Sequence, residues 1–121
     1  MKLLKFTGLI VLIVLIAIQF FPAKVNQGVT GSPDDFIISN QIPPQIAHTL
    51  KSACYDCHSN KTEYPWYGKI QPVNCFIGSH VEERKEELNL SEFGSYPKEK
   101  QKHKLQSMIR HIEKNEMPLP S

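Results

Sequence analysis

Three cysteines in a chain of 121 residues fit no simple disulfide framework, so the covalent cross-links that hold many small domains together are not available here. Charge of one sign is missing as well. The net charge is +2, and once Lys2 and Lys5 are set aside the remaining basic residues equal the 12 acidic ones. No basic patch is left over for phosphates, which argues against nucleic acid as a partner. There is no internal repeat and no low-complexity tract, and the length leaves room for one small domain. A Ser-His-Asp set, a glycine-rich phosphate loop and paired catalytic carboxylates are all absent, so nothing supports a hydrolase or a transferase. The chain does not read as an enzyme. A domain this small buries proportionally little surface and often needs a staple to hold its fold.

The string Cys54-Tyr55-Asp56-Cys57-His58 offers one. Two thiols three residues apart can add to the two vinyl groups of one porphyrin, and the adjacent imidazole is left facing the iron. Bare Cys-x-x-Cys is ambiguous between redox, zinc and haem chemistry; the trailing His58 favours haem c, a large apolar body around which short helices can pack. A structural zinc site built from Cys54, Cys57 and either His58 or a distant histidine is the weaker alternative. Such sites usually take four ligands, and an adjacent histidine is badly placed to join both cysteines on one ion. Cys75 is left alone and reads as a small, partly buried apolar residue.

Gly8 to Phe21 is apolar except for Gln19, and Lys2 and Lys5 precede it. With Phe6 and Thr7 the run approaches the lower length limit for crossing a bilayer. Residues 1–22 are therefore expected to be a signal peptide or a membrane anchor, and the bulky Phe20-Phe21-Pro22 favours an uncleaved anchor. Either way the lysines put the N-terminus in the cytoplasm and the rest on the periplasmic side of a bacterial inner membrane, the side on which c-type haem is attached. Residues 23–40, with two glycines and Ser32-Pro33, read as a linker. Residues 41–121 then form the haem-binding domain.

Within that domain the pattern is all-α. Pro43-Pro44 opens a helix, with Ile46, Ala47, Leu50 and Ala53 at helical spacing, leading into Cys54. The stretch 59–71 is loop-like, and Tyr64, Trp66 and Tyr67 are expected to wall a haem pocket. A second helix starts at Pro72 with a stripe of Val73, Phe76, Ile77, His80, Val81, Arg84 and Leu88. Ser91 can cap a short turn after it. A third helix runs from about Pro97 to Asn115, with Leu105, Met108, Ile109 and Ile112 as its apolar stripe.

Several strings together resemble a family of small membrane-anchored, c-type haem-binding domain proteins from bacteria: Ala53 to Asn60, Tyr64-Pro65-Trp66-Tyr67, Ile70-Gln71-Pro72-Val73, His80-Val81-Glu82-Glu83, Leu88 to Phe93, and Glu116-Met117-Pro118. The resemblance spans about Pro43 to Ser121. It implies a single-haem cytochrome, small and helical, that carries electrons to redox protein partners at the outer face of the inner membrane. Three departures are visible. Asn115 stands where the family often has glycine, and Cys75 where it commonly has an aromatic residue. The family also continues past the Met-Pro segment into a closing helix, whereas this chain stops at Ser121.

His58 supplies one axial position on the iron. Met117 is the first candidate for the other: it sits at a helix end beside Pro118 and near Pro120, and Glu-Met-Pro is a recurrent element of the resembled family. His80, on the apolar stripe of the second helix, is the alternative distal ligand. His48, His103 and His111 read as surface or structural residues, and Met108 as packing. A haem peroxidase or gas-binding sensor is the competing expectation and needs an open distal position.

Overall fold

The computed structural model describes residues 1–119; Pro120 and the chain end at Ser121 lie outside the described residues. The fold is all-α, as the periodicity predicts. Helix α1 covers Lys2–Ile18, α2 Phe36–Ser39 and α3 Pro44–Leu50; α3 runs through a π-helical turn, Lys51–Tyr55, into α4, Asp56–His58. A 3₁₀ turn at Trp66–Lys69 precedes α5, Val73–Glu87. A second 3₁₀ segment, Leu90–Ser95, leads to α6, Lys98–Glu113. Proline sets the helix starts: Pro43 precedes α3 with Pro44 in its first turn, Pro72 precedes α5 and Pro97 precedes α6. Asn115 ends α6 in the left-handed conformation (φ 56°), and the Glu116 N–H closes back on the His111 carbonyl at 2.9 Å. That is the role a glycine takes at this position.

The core is small. Phe36, Leu90 and Phe93 form its centre, with Ile42, Leu50, Cys54, Tyr55 and Leu105 packed around them. Phe93 stands edge-on to Phe36, centroids 4.9 Å apart, and to Tyr96 at 5.8 Å. Phe36 belongs to the stretch 23–40 that reads as a linker, so that stretch is packed into the domain and is not a free tether. Gly94 makes the approach possible: its N–H donates to the Asp34 carbonyl at 2.7 Å, and a Cβ there would meet the Asp34 Cα at 2.9 Å. Further upstream, Gln27 pairs with Lys61 in an isolated antiparallel bridge.

Three further expectations need correction. Among the described residues no helix is long and apolar enough to cross a membrane. Helix α1 has 17 residues, about 26 Å at 1.5 Å per residue, short of the roughly 30 Å hydrocarbon core. The apolar run does not continue it, because the chain leaves the helix after Ile18 and Gln19 turns its side chain to Gln71. Cys75 is exposed, not partly buried. The stripe on α5 is displaced: Asn74 (3% exposed) and Val81 are its buried residues, whereas Phe76 is largely exposed. Asn74 tolerates burial because both ends of its amide are hydrogen-bonded, Oδ1 accepting from the Ala23 N–H and Nδ2 donating to the Gly68 carbonyl at 3.0 Å.

Candidate functional site

Cys54, Cys57 and His58 lie at the C-terminal end of the continuous helical run 44–58, where the spacing predicts them. Cys54 lies in the π turn, whose wider coil changes the angular step between successive side chains. No residue preference announces such a turn. All three side chains are half-buried, and the cysteines are unpaired.

The His58 ring is held by the end of another helix. Its Nδ1 lies 3.0 Å from the Arg84 carbonyl and 3.1 Å from the Leu88 carbonyl. Carbonyl oxygens only accept, so Nδ1 carries the proton and donates it. The Arg84 carbonyl also accepts the Leu88 N–H, at 3.0 Å, and shares its second lone pair with the ring; the Leu88 carbonyl lies at the C-cap of α5, where a helix leaves acceptors without intrahelical partners. With Nδ1 protonated, Nε2 is the nitrogen with a free lone pair, in the tautomer a metal-ligating histidine needs. The partners are 26 and 30 residues away in sequence, so no local pattern could have revealed them.

A polar network fixes the loop that follows. The Asn60 N–H donates to Ser91 Oγ at 3.1 Å, Asn89 Nδ2 donates to Asn60 Oδ1 at 2.8 Å, and Thr62 Oγ1 donates to the Asp56 carbonyl at 2.6 Å. Asn89, not Ser91, caps the 3₁₀ segment, accepting from the Ser91 N–H at 3.1 Å; this leaves the buried Ser91 hydroxyl free to hold Asn60. Asn60, Asn89 and Ser91 all stand in the strings that carry the family resemblance, but nothing local marks them as positioning residues. Tyr55, between the cysteines, donates its hydroxyl to Asp35 Oδ1 at 2.9 Å, tying the motif to the N-cap of α2. Burial, reinforced by this bond and the Asp35 charge, pushes the Tyr55 phenol well up.

The remaining candidates are more dispersed. The Tyr64 hydroxyl accepts from the Asn26 N–H at 3.0 Å, while Trp66 (77% exposed) and Tyr67 meet edge to face, centroids 5.7 Å apart. His80 stacks on Phe76 at 5.2 Å, midway along α5. Met117 is half-buried just past α6, its N–H donating to the His111 carbonyl at 3.3 Å. His111 in turn pairs with Glu116 on the surface.

Burial raises the Cys54 thiol, with Cys57 adding to the effect; burial likewise raises Cys57, with Asp56 adding and Arg84 opposing. Both thiols stay protonated at neutral pH. A group that binds its proton more tightly when folded stabilises the fold at low pH, and that contribution is lost as pH rises through the ordinary thiol value toward the raised ones. Urea midpoints of the haem-free chain should therefore fall more steeply between about pH 8 and pH 10 in wild type than in Cys54→Ala/Cys57→Ala. Parallel profiles would contradict the shifts.

Several features fit a haem. Nε2 of His58 is available as a ligand, and Ile46, Trp66 and Tyr67 carry exposed apolar surface. Arg84 Nε is buried with no hydrogen-bond partner among the described residues, a donor suited to a carboxylate such as a haem propionate. No group of three His, Cys, Asp or Glu side chains converges to hold a metal ion among the described residues, which leaves the zinc alternative without a ligand set there. A family model described as a haem-binding domain matches residues 13–121. The chain belongs to this haem-binding domain family. No curated protein and no solved structure matches it. The family match starts inside α1, so the segment between α1 and α2 falls within the haem-binding domain, in agreement with its packing.

Proposed function

We propose that this haem-binding domain is a single-haem c-type cytochrome that carries electrons and is not itself an enzyme. Cys54 and Cys57 would hold the haem, each by adding its S–H across one vinyl group, and His58 Nε2 would ligate the iron. When bound, the haem supplies the Fe(III)/Fe(II) couple. The observation that carries this reading is the anchoring of His58 Nδ1 on the α5 carbonyls, directly beside two thiols at haem-attachment spacing. Export across the inner membrane, guided by the lysines and apolar run at the N-terminus, fits the covalent attachment. The domain would then work on the periplasmic side with redox protein partners.

Met117 is the favoured distal ligand, because Glu116-Met117-Pro118 is among the strings that carry the family resemblance. His80 is the alternative; it stacks on Phe76 midway along α5, the helix whose last carbonyls hold the His58 ring. Met117→Ala should abolish the low-spin visible spectrum and open the iron to carbon monoxide, while His80→Ala keeps the native bands. The opposite pattern reverses the assignment. Rapid carbon monoxide binding by wild type would favour a peroxidase or gas-binding sensor over a carrier.

A further inference from the structure

The apolar helix α1 is fastened to the domain by a defined strap. The Gln71 N–H donates to Gln19 Oε1 at 3.0 Å, and Gln19 Nε2 donates to the Gln71 carbonyl at 3.2 Å. Gln71 Nε2 donates to the Phe21 carbonyl at 2.8 Å, and the Ala23 N–H to Asn74 Oδ1 at 2.6 Å. The backbone at Ala23 and Lys24 then crosses Gly78, where a Cβ would touch Lys24 O at 3.4 Å and Ala23 Cβ at 3.5 Å. Asn26 completes the strap, donating to the Ser59 carbonyl and accepting from Lys85 Nζ, each at 2.9 Å. The strap thus follows α5 from its first turn toward its last, and α1 leaves from the N-terminal end of α5.

That end is apolar on its surface. Phe20, Phe21, Ile70, Val73 and Phe76 are exposed there, and the exposed Lys24 and Lys69 flank them. Helix α1 has no buried residue and is apolar on nearly every side; such a helix belongs in lipid or in a protein core. We infer that a phospholipid bilayer covers both surfaces together: α1 enters the lipid, and the N-terminal end of α5 is seated on the membrane surface. Continuity through Gln19, Gln71 and Asn74 argues for one occupant, because wherever α1 goes these residues must follow. The flanking lysines suit headgroup phosphates, as cationic side chains do at membrane interfaces. Arg84, which holds His58, lies ten residues beyond Asn74, so α5 acts as a post of about 15 Å that keeps the His58 end away from the lipid.

This inference rests on the reading that α1 meets lipid, and the test separates the two. Cys75 is exposed between Asn74 and Phe76, so its native thiol reports on this surface. The haem-loaded full chain, nitroxide-labelled at Cys75, is mixed with phosphatidylcholine/phosphatidylglycerol vesicles, and collisions with oxygen and with a water-soluble nickel chelate are measured. A label at Glu86→Cys in a Cys75→Ser background samples the far end of α5. The expected result is flotation with vesicles, a several-fold higher oxygen-to-nickel ratio at residue 75 than at residue 86, and loss of that difference in Asn74→Ala. A chain that floats while residue 75 stays as open to nickel as residue 86 would overturn the seating but not the lipid reading. A label shielded from both reagents points to a protein partner and overturns the seating as well. Failure to float would overturn both.

Discussion

Cys54→Ala/Cys57→Ala protein will carry no haem through a denaturing gel, whereas wild type will retain a haem-stained band. Only a covalent link survives denaturation, and these two thiols are the pair at attachment spacing, on a helical run whose next residue is His58. Each single variant should keep the stain through its remaining thioether. Its pyridine haemochrome band should move to longer wavelength, because one vinyl group stays conjugated with the ring. The loss in the double variant should be complete. Circular dichroism of the double variant checks that the helices survive, since Cys54 also packs against the core. A stained band persisting in the double variant would shift attachment to Cys75, and a colourless wild type would end the cytochrome reading altogether.

Phe93→Ala is expected to have the largest effect on stability. Phe93 is fully buried and contacts Phe36 and Tyr96 edge-on, at the centre of a core with few buried apolar side chains. Truncating a buried phenylalanine costs about 3–5 kcal/mol, against roughly 5–15 kcal/mol of stability for a whole domain. In so small a core little else can close over the cavity, so urea unfolding of the haem-free chain should begin without added denaturant. Haem attachment should offset part of this loss, since Cys54 lies against the same cluster. An unchanged urea midpoint would mean that the stabilising core lies elsewhere.

Much was legible in the sequence because it is written locally. The spacing of Cys54, Cys57 and His58 that the proposed covalent attachment requires is readable from five residues. Pro43, Pro72 and Pro97 mark helix starts through their fixed backbone angle, and Asn115 marks a helix end through its tolerance of positive φ. The segment 23–40 reads as a linker because of its two glycines and Ser-Pro, while the burial of Phe36 depends on Phe93, 57 positions later. The displaced stripe on α5 has the same origin: Asn74 is buried through bonds to Gly68 and to the distant Ala23, which hydrophobic periodicity does not see.

From its residues alone, the chain determined a helical haem-binding domain and the Cys54, Cys57 and His58 spacing on which the proposed attachment rests. Tertiary structure decided which nitrogen of His58 is free, that α1 is strapped to α5 through Gln71 and Asn74, and that Cys75 faces outward. The physical reason is range. Covalent spacing and helix signals act over a few residues, whereas a ring tautomer, a strap and a buried amide depend on hydrogen-bond partners that only folding brings within 3 Å or so.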